Sequence, residues 1–391
     1  MLMQFLKIIL LVGVQSLPSS LAIGLGQPYV PTSDDEILVK LPVNFSKLAA
    51  TLTSSQPTRS LSEYETANLI QEYLEIASID GDERYLGYAR TLTAKYEMES
   101  IQTVELRLAV ASLLQREHKF EQALAHLDKV LLVFPDHSEA HLMSAYINIA
   151  QGKYRQALLH CEQTRKTFGP VLALNCSAMV NALLGAADES YQQLNTLFNH
   201  IVLGGIEKRE SLISLAEISN IRGDYQSAQT FLVEALEDAP GNPFLMTRLA
   251  DTYLENGKYG SCIELLGGTD NPSLMLRLAI AQKNLRGEVD TKLLNFLSEY
   301  FKVQRYRNPE FASRDYAEYL LTIDDNPMAA LSAALANWQT QREPADTALV
   351  LRASIAAKEK KKVDATIEWI HSAGIKDFAI DRLLTQMELM R

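Results

Sequence analysis

The sequence predicts an all-α protein: a right-handed solenoid of about eight antiparallel helix pairs behind a short irregular leader. Three observations predict it. A short motif recurs at a spacing of ~34 residues, a period that marks helical solenoids. Prolines keep the same beat. Apolar residues stand at helical spacing on both sides of each motif. The chain of 391 residues is 47% hydrophobic and 22% charged, a globular balance rather than a disordered one.

The motif has the form Gly-x-Tyr-x-x-Ala. It reads Gly152-Lys153-Tyr154-Arg155-Gln156-Ala157, then Gly223-Asp224-Tyr225-Gln226-Ser227-Ala228, then Gly257-Lys258-Tyr259-Gly260-Ser261-Cys262. His118-Lys119-Phe120-Glu121-Gln122-Ala123 is an earlier copy without the glycine, and a degenerate copy falls around Gly185 to Tyr191. Each part has a physical task. Gly ends the first helix by tolerating a left-handed conformation. The aromatic packs the corner, and the small Ala lets the second helix come close. The second helix then presents residues such as Ala123, Leu127, Val130 and Leu131 on one face. Pro135, Pro170 and Pro240 follow the second helix of their units.

This pattern resembles the tetratricopeptide repeat family, although the aromatic-Leu-Gly signature of its first helix is reduced here to Leu249-Ala250 and Tyr253. The clearest repeats span residues 104–266, with divergent pairs over 272–391 and an earlier pair at Thr66 to Ile79 and Arg84 to Tyr96. The chain is also similar to exported proteobacterial tetratricopeptide proteins of unassigned function. That likeness rests on Gly81-Asp82-Glu83-Arg84-Tyr85-Leu86-Gly87-Tyr88-Ala89, Ala334-Leu335-Ala336-Asn337-Trp338 and Gln341-Arg342-Glu343-Pro344. It implies a Gram-negative envelope and brings no catalytic residues.

The N-terminus fits export. Lys7 precedes an apolar run through Val14, Pro18 breaks it, and Ser20-Leu21-Ala22 suits signal peptidase, so residues 1–22 read as a signal peptide. No later segment approaches a membrane span in this reading. Residues 23–60 carry Pro28, Pro31, Pro42 and Pro57, which forbid a long helix and mark the leader.

Chemistry is sparse. The net charge of −11 disfavours nucleic acid. There is no Walker loop, nucleophile elbow or dinucleotide fingerprint, so the chain reads as a non-enzyme with no cofactor and no metal. His137 and His141 share a helix face, but Asp136 reads as a cap and no catalytic zinc pattern surrounds them. A disulfide is sterically open to Cys161 and Cys176, while buried thiols are the plainer account, and Cys262 replaces a packing alanine.

The family resemblance places first helices on the concave wall. By register Leu108, Ser112, Gln115, Leu142, Met143, Tyr146, Cys176, Val180, Ile213, Glu217, Thr247, Arg248, Asp251, Leu276, Arg277 and Ile280 face the groove. Met143, Tyr146, Glu217, Arg248, Asp251 and Arg277 are the candidate partner-binding residues. The lysine and asparagine clamp for acidic chaperone tails has no counterpart at these places. The expected function is a periplasmic scaffold that binds a protein, peptide or helix in the groove. The alternative is a glycan- or small-molecule-handling accessory of an envelope export system.

Overall fold

The computed structural model describes residues 61–80, 84–96, 98–165, 169–308 and 311–389, and every regular element among them is helical. The segments expected to be signal peptide, leader and Gly81-Asp82 turn lie outside the described residues. Antiparallel pairs follow one another: α1 (Glu63–Asp80) with α2 (Arg84–Thr93), α3 (Val104–Arg116) with α4 (Phe120–Val133), and α5 (Ser138–Ala150) with α6 (Tyr154–Thr164). Then come α7 (Pro170–Asn181) with α8 (Ala187–His200), α9 (Gly205–Ile221) with α10 (Tyr225–Asp238), and α11 (Pro243–Glu255) with α12 (Tyr259–Leu266). The divergent part holds α13 (Pro272–Arg286), α14 (Thr291–Arg307), α15 (Arg314–Thr322), α16 (Pro327–Trp338), α17 (Pro344–Ala357), α18 (Asp364–Ala373) and the terminal α19 (Phe378–Leu389). Among the described residues that makes nine pairs and a terminal helix, in keeping with the expected architecture of about eight.

The motif behaves as its chemistry requires. Gly152, Gly223 and Gly257 sit at φ 71°, 77° and 67° at the turn between first and second helix. The copy without glycine forces His118 itself to φ 56°, where its ring stacks on Phe120 at 5.6 Å. Lys358 takes φ 57° at the last such turn, and Lys360–Val363 form a single 3₁₀ turn. Pro243, Pro272, Pro327 and Pro344 open first or second helices at positions that need no amide donor.

Cys161 on α6 and Cys176 on α7 are joined in a disulfide with Cα atoms 5.5 Å apart, which corrects the expectation of two free buried thiols. Repeat stacking brings the two helices side by side at that point. Cys262 is free and buried, and burial pushes its thiol up to about 12. Residues 170–200 form one helical stretch, long and apolar enough to cross a bilayer, which the sequence reading did not anticipate. Half of its most apolar window is buried among neighbouring helices, and a π-turn with Gly185 at φ 100° interrupts it.

The C-terminal helices do not simply extend the stack. They run back across the turns of the middle pairs, in chain order. The Arg342 amide donates to the Ala150 carbonyl at 2.7 Å, and its guanidinium lies over Trp338 at 4.3 Å and Trp369 at 5.5 Å. The Lys376 amide donates to Leu183 in the π-turn at 2.8 Å. Phe378 meets Tyr225 edge-on at 6.2 Å, and Arg382 pairs with Glu255 at 3.2 Å. One core therefore unites Tyr154, Cys161 and Leu183 with Trp338, Ile370, Leu383 and Met387.

Two motif glycines are the floor of this contact. A methyl group on Gly152 would strike the Trp369 ring, and one on Gly223 would lie 2.6 Å from Phe378, whereas Gly257 faces open space. Gly257→Ala should cost about 1–2 kcal/mol, the left-handed strain alone. Gly152→Ala and Gly223→Ala should cost about 1–3 kcal/mol more, from overpacking. Urea unfolding of the three variants checks this, and equal losses would refute the docking role.

The same contact is sensitive to pH. Asp377 caps α19 by accepting from the Ile380 amide at 3.0 Å, yet burial lifts its carboxyl to about 6, with Asp381 and Glu255 adding to the rise. The native state then binds a proton that the unfolded chain releases near pH 4, so stability falls as pH rises from about 4 to about 6 and is level above. The loss is roughly 3 kcal/mol. Asp377→Asn keeps a good cap and should remove that part of the slope. Thermal unfolding of both proteins at about pH 4 and about pH 7 measures it.

Candidate functional site

First helices of successive pairs lie beside each other, and polar residues bond across each step. The Asn175 side chain on α7 donates to Ser211 on α9 at 3.1 Å, and Asn220 on α9 to Thr252 on α11 at 3.1 Å. The charged residues follow the same rule. Glu217 on α9 meets Arg248 on α11 at 2.7 Å. Neither atom of that closest approach has hydrogen-bond geometry, so charge holds the pair. Burial pushes the Glu217 carboxyl up while Arg248 pulls it back.

Arg277 on α13 is the centre of the ladder. It grips Asp251 on α11 through two bonds of 2.6 and 3.2 Å and reaches Asp315 on α15 at 3.1 Å. Its side chain is 8% exposed. Burial works to lower its pKa, but the two aspartates raise it above the ordinary arginine value. On the next step Arg314 bonds Asp346 at 2.7 Å and Glu343 at 2.5 Å, and Arg352 bonds Glu318 through two contacts of 2.9 Å. Asp346 and Glu343 also close a capping box that starts α17.

Four of the six candidate residues, Glu217, Arg248, Asp251 and Arg277, are thus joined to one another or to neighbours within the chain. Leu108, Cys176, Val180, Leu276 and Ile280 are buried in helix packing instead of facing a groove. Met143 and Tyr146 part company: Met143 packs on the α3–α4 core with Leu108 and Leu127, and Tyr146 lines a cleft. Ser112 and Gln115 border a second cleft of about 380 Å³ with Gln71, Glu75 and Arg116.

The Tyr146 cleft has a volume of about 480 Å³ and is built by three successive first helices. Leu142 and Tyr146 come from α5, Leu172 from α7, and Ile206, Glu207 and Glu210 from the start of α9. Burial raises the Tyr146 hydroxyl, and Glu210 raises it further. Sequence reasoning found Leu142 and Tyr146 and missed the rest, because α9 begins at Gly205, ahead of the apolar run from Leu212 that marks it in the sequence. Glu207 in the first helical turn after Gly204-Gly205 was the available signal.

The histidines do not converge on a metal. His137 is the N-cap of α5, accepting from the Ala140 amide at 3.3 Å, in the place expected for Asp136. His141 pairs with His160 on α6, Nδ1 to Nδ1 at 3.0 Å, with its Nε2 on the Pro135 carbonyl at 2.8 Å. Among the described residues no three His, Cys, Asp or Glu side chains gather as a metal site. Arg342-Glu343-Pro344 also has a structural account, as ring stacking and helix capping.

Removing Arg277 leaves two carboxylates unpaired on the inner wall. Arg277→Ala should cost about 3–5 kcal/mol. Arg222→Ala breaks an exposed pair with Asp188 and should cost less than about 1 kcal/mol. Denaturant midpoints of the two variants test the contrast.

Tetratricopeptide repeat models match residues 108–170 and 221–271. Among curated proteins, none matches the chain. Solved structures with a similar trace include a Rap protein complexed with competence and sporulation factor, at 10% identity and TM-score 0.47, over 88% of this chain and 92% of that one. Yeast Tom70 is similar at 11% identity and TM-score 0.37, over 88% and 84%. A tetratricopeptide repeat protein from Parabacteroides merdae is similar at 14% identity and TM-score 0.32, over 83% and 98%. With the glycine turns and the stacked helix pairs, the two matched segments identify tetratricopeptide repeats within this chain.

Proposed function

We propose that this protein is an exported scaffold that holds a peptide or helix of another protein in the cleft between α5, α7 and α9. The carrying observation is the contrast along the wall. From Glu217 to Arg352 the charged groups named above are bonded across the steps, while the cleft keeps an apolar floor and a polar rim open. Tetratricopeptide folds are typically interaction scaffolds, and a segment laid along first helices suits their geometry. No catalytic step is proposed. Among the described residues Tyr146 is the one aromatic lining the cleft, so the protein-binding reading is preferred to the glycan-handling one.

Two features support export to an oxidising compartment, with the periplasm the favoured one. The N-terminal sequence reads as a signal peptide. The Cys161–Cys176 disulfide is of a kind that persists outside the cytosol.

Pull-down from envelope extracts with the chain lacking residues 1–22 should recover one stoichiometric protein, and Tyr146→Ala should reduce recovery about tenfold or more. A partner retained fully by Tyr146→Ala would move the site elsewhere. Saturable glycan binding with no protein recovered would overturn the scaffold reading. Fractionation with thiol counting should place the chain outside the cytoplasm with Cys262 as its free thiol.

A further inference from the structure

We infer that the cleft between α5, α7 and α9 takes a cationic side chain, a lysine or arginine beside an aliphatic residue of the partner. The inference rests on the reading of this cleft as the partner site and adds the chemistry it selects.

The acids of the inner wall, Glu217, Asp251, Asp315, Glu318, Glu343 and Asp346, each contact an arginine of the chain. Glu207 and Glu210 are different. They stand one helical turn apart on α9, on the same face, and among the described residues neither side chain has an ion pair or hydrogen bond. The neighbouring cations do not serve them. Lys208 turns to Glu234 and Asp238 on α10, at 3.1 and 3.2 Å, and Arg209 acts on Glu210 without an ion pair.

Glu210 is half-buried against the floor of Leu142, Tyr146 and Leu172. Burial there pushes its carboxyl up, with Arg209 only partly opposing. A desolvated acid without a counter-charge costs stability, and an incoming cation removes that cost. The lip of the cleft supplies the rest of the specificity. Ile206, which lines the cleft, is 58% exposed, and Val202, four residues earlier in the chain, is fully exposed. An aliphatic side chain next to the cation covers both. The net charge of −11 would draw a basic segment toward the protein.

The test uses three short fluorescent helical peptides, identical except for a central Leu–Lys, Leu–Gln or Leu–Glu pair. The chain lacking residues 1–22 should bind the Leu–Lys peptide about tenfold or more tightly over Leu–Glu, with an affinity that falls as salt rises. Glu210→Gln should erase most of that preference and raise Tm, because it removes an unpaired acid. Glu207→Gln should erase a smaller part. Tyr146→Ala should weaken all three peptides alike.

Equal binding of the three peptides, lost with Tyr146→Ala, would overturn the cationic assignment and leave the cleft as the partner site. A Leu–Lys preference unchanged by both glutamine variants would also overturn it. No binding of any peptide at millimolar concentration would overturn both the assignment and the cleft reading.

Discussion

The closure of the solenoid on itself is the constraint from which the rest follows. Trp369 and Phe378 lie against backbone at Gly152 and Gly223, where no side chain could fit beneath them. That contact carries Arg342, Lys376 and Arg382 onto the turns of successive pairs, and it merges the middle and the C-terminal helices in one core. In an open solenoid each unit touches its neighbours alone and stability sums along the line. Here the last units also brace the middle ones from the side.

The inner wall shows how such a protein can carry many charges without advertising them. Arginines on α11, α13, α15 and α17 each meet acids on an adjacent first helix. The bonds join one pair to the next and so set the step between units as well as neutralising the wall. A half-buried ion pair is poor evidence of net stabilisation, but breaking one is costly. The ladder therefore fixes relative position more than it adds stability. The α5–α7–α9 cleft lies where the ladder is neutral, built from Asn175 and Ser211, and where α9 begins with unpaired acids.

Much of the fold was legible because repetition amplifies weak signals. Gly-x-Tyr-x-x-Ala says little once, but in register it located the turns at 152, 223 and 257. The first helices of the wall were legible too, and Tyr146 on one of them lines a cleft. What was hidden came from contacts between units far apart in sequence. Nothing local in Gly152 announces Trp369, and nothing in Arg277 announces both Asp251 and Asp315. The start of α9 lies ahead of its apolar run, which is why Glu210 escaped a periodic count.

The direction of closure bears on how the chain comes to be folded. Contacts within helix pairs are local and form early and fast, whereas the Arg382–Glu255 bond joins residues 127 apart. Synthesis proceeds from the N-terminus, so the row of glycine turns is complete before the rings that cover it emerge. Until then the apolar faces of the middle pairs stay open to water and to other chains. A chain that ended before Trp369 would lack the rings that lie over Gly152 and Gly223, and with them part of its core.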